Sequence, residues 1–205
     1  GRDGPSLSPL ASVGDRFFFT GVDPEHGREL WVSDGTDAGT RLVKDIVPGE
    51  SWPEWLDAPS PVALGDRLFF AVGDLVSGSE PWISDGTEEG TVLLEDLVPG
   101  PFGSHPFHIT AVGRRAFFVA TELDGLEARS GLWVSDGTAE GTRAVGAWLA
   151  TDDPGFLTLA AAGDLLYFFL WDGVAELAAL WVSDGTAEGT QLLKYVAAEP
   201  GTTDW

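Results

Sequence analysis

Short apolar runs separated by polar turns follow one another along the whole chain. In the first stretch, Phe17-Phe18-Phe19 follows Gly14-Asp15, and Leu30-Trp31-Val32 precedes Ser33-Asp34-Gly35-Thr36. Runs of this length and aromatic content are typical of strands, and glycine beside aspartate is typical of the tight turns that join them. The apolar runs are continuous rather than strictly alternating, which predicts sheets that are covered on both faces.

This pattern is repeated four times. The tryptophans of the apolar Leu-Trp strands are 51, 51 and 48 residues apart, and each is followed by Ser-Asp-Gly-Thr at the same distance. The repeated tryptophans are Trp31, Trp82, Trp133 and Trp181. Each repeat reads as strand, turn, aromatic strand, variable loop, Leu-Trp strand, Asp-Gly-Thr turn and final strand. The four tryptophans are predicted to pack between neighbouring repeats.

Repeats of about fifty residues with four strands each have the size of propeller blades. We therefore predict an all-β fold, a four-bladed β-propeller in which each blade is a four-stranded antiparallel meander. A single domain would span 1–205, with repeats near 9–50, 60–100, 108–149 and 158–198. Two forms of closure remain open: four blades closing alone as a monomer, or a dimer in which a second chain completes the ring. Residues 1–9 and 198–205 together resemble one interrupted linker between repeats, as closure of four blades would give.

The phrase Glu29-Leu30-Trp31-Val32-Ser33-Asp34-Gly35-Thr36 resembles the signature of the ELWxxDGT repeat family. That family occurs in tandem in bacterial secreted and surface proteins, and the four copies here cover almost the whole chain. The resemblance implies an exported or cell-surface bacterial protein with a propeller-like array, and it implies no activity. The later copies begin Glu80-Pro81, Gly131-Leu132 and Ala179-Leu180, and this drift indicates that the glutamate serves no essential chemistry.

The charge of the chain is strongly negative. Lysine and arginine total 11 against 33 aspartates and glutamates, which gives a formal charge of −22. Such a surface repels phosphate backbones, so nucleic acid is not predicted as a partner. No run of eighteen apolar residues occurs, so no insertion into a membrane is predicted. Because there is no cysteine, disulfides, thiolate metal sites and cysteine nucleophiles are excluded.

The aspartates of the repeated turns allow two interpretations. They are Asp34, Asp85, Asp136 and Asp184. Each carboxylate can accept hydrogen bonds from its own turn, which is the structural interpretation. Alternatively, each could bind calcium together with a neighbouring carboxylate such as Asp37 or Glu88, because hard cations prefer oxygen ligands. Apart from this possible calcium, no cofactor is predicted.

Aromatic residues and histidines outside the repeat pattern are the candidates for contacts with a ligand. They are Trp52, Trp55, His105, His108 and Trp171. Loops on a rigid scaffold carry function, and aromatic faces stack on sugars or fill pockets in a partner. The alternative is that these aromatic residues only cap the edges of blades. The loops that differ between repeats are 21–28, 49–60, 98–108, 121–130 and 171–178.

The sequence therefore predicts a non-catalytic binding or adhesion module of an exported bacterial protein, which binds a glycan or a protein through its variable loops. It is not predicted to be an enzyme, because no recognisable nucleophile or metal motif occurs. One alternative is a structural spacer of a cell-surface array, stiffened by calcium. Another is a glycoside hydrolase, whose catalytic carboxylate pair could not be singled out among so many acids.

Overall fold

The strands of this protein form four separate meanders. The computed structural model describes residues 7–48, 61–124, 127–149, 156–172 and 177–196. Within these ranges the chain forms four antiparallel sheets, and the strands of each sheet follow one another in chain order. This confirms the predicted all-β fold with four four-stranded sheets.

The sheets are numbered in chain order, as are their strands. Sheets 1 and 2 consist of β1 (Ser8–Val13), β2 (Arg16–Asp23), β3 (Gly27–Ser33), β4 (Arg41–Lys44), β5 (Val62–Leu64), β6 (Arg67–Asp74), β7 (Gly78–Ser84) and β8 (Val92–Leu93). Sheets 3 and 4 consist of β9 (Phe107–Val112), β10 (Arg115–Asp124), β11 (Glu127–Ser135), β12 (Arg143–Leu149), β13 (Phe156–Ala162), β14 (Leu165–Asp172), β15 (Leu177–Ser183) and β16 (Gln191–Val196).

The turn between the third and fourth strands is built in the same way in every sheet. In sheet 1, Asp34 Oδ1 accepts hydrogen bonds from Thr36 N at 2.9 Å and from Thr36 Oγ1 at 2.7 Å. Thr36 Oγ1 in turn accepts one from Gly39 N at 3.0 Å. The equivalent bonds in the other three sheets measure 2.7 to 3.0 Å. The carboxylate thus closes a turn whose backbone N–H groups have no strand partner.

Successive sheets pack face to face. One apolar cluster joins Phe18 of sheet 1 to Phe70 and Trp82 of sheet 2. A second cluster joins sheets 2 and 3, with the Phe69 and Phe118 rings 5.4 Å apart. A third joins sheets 3 and 4. Each second strand therefore buries aromatic side chains on both of its faces, as its continuous apolar run predicts.

Arginines add polar links between the same sheets. The Arg16 guanidinium of sheet 1 donates to the carbonyl oxygen of Asp85 in the turn of sheet 2. The Arg115 guanidinium of sheet 3 donates in the same way to the carbonyl oxygen of Asp184 in sheet 4. These bonds join the start of one second strand to the Asp-Gly-Thr turn of the next sheet.

The meander places two kinds of connection at opposite edges of the sheets. The first strands of successive sheets lie next to each other, so equivalent turns of the four sheets share an edge. The Gly-Asp, Gly-Arg and Asp-Gly-Thr turns lie at one edge. The opposite edge, here called the variable face, holds the hairpins between second and third strands and the connections between sheets. In the described residues it comprises 23–27, 45–48, 74–78, 94–106, 122–124, 127–128, 171–172 and 177.

Replacing Gly90 by alanine is expected to destabilise the protein. A Cβ at this position would lie 2.1 Å from Asp85 Oδ1, so the carboxylate would have to leave its turn. We expect a loss of about 1–3 kcal/mol in the free energy of unfolding, measured by urea denaturation. Glu89→Ala is the matched control, because Glu89 is exposed in the same turn. Equal stability of the two variants would contradict this account of the turn.

Candidate functional site at the variable face

The ligand-contact residues predicted from the sequence lie at or next to the variable face where the structure describes them. His105 is exposed in the connection between sheets 2 and 3, and His108 is half-buried near the start of β9. Both have positive φ angles, 50° and 53°. Trp171 lies near the end of β14 and is 42% exposed. Trp52 and Trp55 lie outside the described residues. The structure thus places three candidates on the same side of the molecule but on connections of different sheets.

Glu80 holds the connection that carries His105. Its side chain is 0% exposed, and its Oε1 accepts hydrogen bonds from Val98 N at 3.0 Å and Ser104 N at 2.8 Å. Its Oε2 accepts a further bond from Ser104 Oγ. His105 N donates to Ser79 O at 3.0 Å, which fixes the next residue of the same segment. Both oxygens of Glu80 therefore have partners, and the role of this carboxyl group is to anchor a loop.

Glu29 has the same position in sheet 1 but a different environment. It is also 0% exposed, and its Oε1 accepts a hydrogen bond from Val47 N at 2.8 Å. Its Oε2 is buried with no hydrogen-bond partner, and the same is true of Asp45 Oδ1. The β3–β4 register pairs Leu30 with Lys44, the last residue of β4, so Asp45 follows the end of that strand next to Glu29. Two carboxyl groups thus lie side by side, and a hydrogen bond between them requires that one of them carries a proton.

Burial changes the acidity of Glu29. It is the main reason that the pKa of Glu29 rises to about 7, and hydrogen bonds from the Val47 and Ile46 backbone oppose the rise. The negative charge of Asp45 raises the pKa of Glu29 further. Near neutral pH, Glu29 is therefore divided between its protonated and ionised forms, which is the state a proton donor needs.

His26 belongs to the same neighbourhood. Asp23 Oδ1 accepts hydrogen bonds from the backbone N–H groups of Glu25 and His26, both at 2.8 Å. His26 Nδ1 lies 3.0 Å from Asp23 Oδ2, and this hydrogen bond is the main reason that the pKa of His26 is raised. The charge of Asp45 acts in the same direction on His26. Glu29, Asp45 and His26 are therefore electrostatically coupled at one corner of the variable face.

A metal site is not apparent in the part of the chain that the structure describes. No group of three or more histidine, aspartate or glutamate side chains within it is placed to hold an ion. In the repeated turns, the Thr36 hydroxyl and N–H hold the pKa of Asp34 below its usual range, and the equivalent threonines act likewise on Asp85, Asp136 and Asp184. Their Oδ1 atoms serve their own turns, while calcium binding stays a prediction.

Large apolar side chains are also exposed at the variable face. Phe102 is 80% exposed in the connection that Glu80 anchors. The hairpins of sheets 2 and 3 contribute others, namely Leu75, Val76 and Leu123. Together with Trp171 they provide apolar surface on the same side of the molecule as the carboxyl pair.

Sequence reasoning missed the Glu29–Asp45 pair. The available signal was a glutamate inside an otherwise apolar strand in only two of the four repeats. The replacement of that glutamate by Gly131 and Ala179 was interpreted as a sign that it serves no essential chemistry. A glutamate that is fully buried needs partners. The partner of Glu29 is Asp45, 16 residues further along the chain, and a partner of Glu80 is Ser104, 24 residues further along.

Comparison with known proteins shows similarity to solved hydrolase structures. No family model matches the sequence, and no curated protein matches it. A puromycin hydrolase (S511A mutant, complexed with PGG) is 17% identical with a TM-score of 0.55, over 95% of this chain and 33% of the hydrolase. A Mycobacterium tuberculosis puromycin-hydrolyzing peptidase is 14% identical with a TM-score of 0.55, over 94% of this chain and 32% of the peptidase. An α-L-arabinofuranosidase from Clostridium thermocellum is 16% identical with a TM-score of 0.34, over 99% of this chain and 76% of that enzyme.

These comparisons correct two predictions made from the sequence. The two puromycin-hydrolysing proteins that share the fold at a TM-score of 0.55 are hydrolytic enzymes, which contradicts the prediction of a non-catalytic binding or adhesion module and the prediction that the protein is not an enzyme. The likeness itself concerns the fold alone, since the identities are low. The chain spans about a third of the length of the puromycin-hydrolysing proteins. Within the described residues, no helix is long and apolar enough to cross a membrane.

Replacing Glu80 by glutamine is expected to flatten the pH dependence of stability. Burial raises the pKa of Glu80 from 4.5 to about 7, so over this interval the folded protein keeps a proton that the unfolded chain has lost. The contribution of Glu80 to stability therefore falls as the pH rises through that window. Urea denaturation of both proteins at about pH 5 and about pH 8 measures the effect.

The change in stability between the two pH values is compared between wild type and Glu80→Gln. Glu29 and His26 titrate in both proteins, so their contributions cancel in this comparison. If stability falls equally in both proteins, the pKa of Glu80 is not raised in the folded state, and this account of its burial is wrong.

Proposed function

We propose that the four sheets are blades of a β-propeller and that the chain is the propeller part of a hydrolase. The propeller arrangement is supported by sheets packed face to face with their first strands side by side. The class of enzyme is supported by the likeness in fold to puromycin-hydrolysing proteins, of which the chain matches about a third.

The Glu29–Asp45 pair is the observation that carries the proposal. A protonated carboxyl group beside a second carboxyl group is the machinery of acid–base hydrolysis. Keeping two ionised carboxyl groups adjacent is unfavourable, because like charges repel, and the charge of Asp45 raises the pKa of Glu29 for this reason. Strongly perturbed acids in such an arrangement are typical of functional sites.

The two carboxyl groups have distinct roles in the proposed reaction. Water adds across the bond that is cleaved, so the pair must give a proton to the leaving atom and take one from the water. Glu29 is fully buried and its pKa is raised to about 7, so it stores the proton, while the half-buried Asp45 is the member of the pair nearer to solvent. Asp45 passes the proton of Glu29 to the leaving atom and then accepts a proton from the water. Transfer of that proton from Asp45 to Glu29 restores the starting state.

The substrate is proposed to lie along the variable face. Glycosidic and amide bonds both need a proton on the leaving atom, so both are candidates for this chemistry. Exposed Trp171 and Phe102 supply apolar surface on which a sugar ring or an apolar side chain could rest. Glu80 is not assigned a catalytic role, because both of its oxygens are held by its own loop.

Replacing Glu29 by glutamine is expected to abolish hydrolysis by the purified chain. The assay uses one panel of chromogenic aryl glycosides and one of aminoacyl anilides. On the substrate that is turned over, loss of the proton donor should lower kcat by about 10²–10⁴-fold. The activity of the wild type should fall as the pH rises above about 7, where Glu29 loses its proton.

Glu80→Gln is the matched control, because it changes the equivalent carboxyl group in the next sheet. It should retain activity wherever circular dichroism shows it to be folded. The proposal fails if wild type turns over neither panel, or if Glu29→Gln and Glu80→Gln are equally active.

A further inference from the structure

The three contacts between sheets follow one pattern. Each sheet has a leading face, which carries the repeated tryptophan and packs on the preceding sheet, and a trailing face, which packs on the following sheet. In the contact between sheets 1 and 2, Phe18 and Val43 of the trailing face meet Phe70 and Trp82 of the leading face. The other two contacts use the equivalent positions.

The leading face of sheet 1 is not covered by another sheet in the part of the chain that the structure describes. It consists of Phe17, Phe19 and Trp31. Phe17 is 42% exposed, whereas the residues at its position in the other sheets, Leu68, Ala116 and Leu166, are each 0% exposed. The Phe17 and Phe19 rings stack at 5.8 Å, and Phe19 lies 6.3 Å from the Trp31 ring. This face is thus a continuous aromatic surface of the kind that is buried elsewhere in the molecule.

The trailing face of sheet 4 is uncovered as well. It includes Tyr167, Phe169 and Leu193. Leu193 is 51% exposed, whereas the equivalent Val43, Leu94 and Val145 are 3%, 8% and 2% exposed. Tyr167 is half-buried where Phe18, Phe69 and Phe117 are each 0% exposed. The side chains that cover a leading face in the internal contacts therefore have equivalents in sheet 4, but these do not pack against another sheet in the described part of the chain.

The turn of sheet 1 shows that sheets 1 and 4 do not cover each other within the described residues. A Cβ placed on Gly86, Gly137 or Gly185 would lie within 3.4 Å of an arginine of the preceding sheet. A Cβ placed on Gly35, the equivalent residue of sheet 1, would have nothing within 4 Å. A preceding sheet therefore packs against the turns of sheets 2, 3 and 4, and this packing is missing at the turn of sheet 1.

We propose that the leading face of sheet 1 binds the trailing face of sheet 4 in a second copy of this chain. Two such contacts close a ring of eight sheets. The occupant is a second copy because these two faces are the two halves of an interface that the chain itself forms three times. The named residues of both faces carry no acidic side chain, so the net charge of −22 opposes association only at longer range.

One position distinguishes this junction from the internal contacts. Leu165 stands where Arg16, Arg67 and Arg115 occur in the other sheets. Arg16 and Arg115 donate to backbone oxygens of the following turn, so the junction at sheet 4 lacks this hydrogen bond. The contact therefore depends on apolar burial and should form reversibly, with tighter association as added salt screens the negative charge.

Sedimentation velocity of the 205-residue chain over a wide range of concentration tests the proposal. We expect a reversible equilibrium between a monomer of 21.7 kDa and a species of twice that mass. Phe17→Glu should weaken association more than about tenfold, because it places a charge in the apolar junction. Leu75→Glu is the matched control on an exposed apolar residue of the variable face, and it should associate like the wild type.

Leu165→Arg provides a second variant that does not depend on disrupting the surface. It should tighten association, because it supplies the guanidinium found at the three internal contacts. The proposal is overturned if wild type stays monomeric at all concentrations and salt levels, or grows into an open series of larger species. It is overturned too if Phe17→Glu associates as strongly as Leu75→Glu, or if Leu165→Arg gives no tighter association than wild type.

Discussion

The sheets of this protein are apolar on both faces, and most of the structure follows from the need to cover them. In sheet 2, Phe70 points to the sheet before and Phe69 to the sheet after, and both are almost fully buried. Each such side chain contributes about 1.5–3 kcal/mol when it is removed from water. A four-stranded meander alone would leave both of these apolar faces exposed to water. Stacking of sheets is therefore the condition for folding, and it decides which residues remain at the edges.

Stacking constrains the two edges unequally. At the edge with the Asp-Gly-Thr turns, Asp85 closes its own turn while its carbonyl oxygen accepts a hydrogen bond from Arg16 of the neighbouring sheet. This edge is restricted by local bonds and by packing, so its residues recur in every repeat. At the variable face the connections only need to reach the next sheet. They are free to differ, and the coupled acids and exposed aromatic side chains lie there.

Much of the fold could be predicted because local signals agree with one another. The turn glycines, the strand composition and the fifty-residue period all indicate a four-stranded meander, and each signal lies within one repeat. The carboxyl site could not be predicted in this way. Whether a glutamate in β3 or β7 is buried depends on segments that lie beyond its own strand. Asp45 is 16 residues from Glu29, and Ser104 is 24 residues from Glu80, so a local pattern carries no information about these contacts.

Comparison of the two buried glutamates separates a structural role from a chemical one. Ser104 donates to Glu80 through both its N–H and its hydroxyl, so both oxygens have partners from their own loop, although burial still raises the pKa of Glu80 to about 7. Glu29 is buried equally well, but the group beside its second oxygen is the carboxyl group of Asp45. Gly131 and Ala179 at the same position show that this repeat folds without any glutamate. Glu29 accepts the Val47 N–H as Glu80 accepts the Val98 N–H, so burial and loop anchoring are common to both positions. The neighbouring carboxyl group of Asp45 is what sheet 1 adds, and a second acid beside a buried one favours a chemical role over a purely structural one.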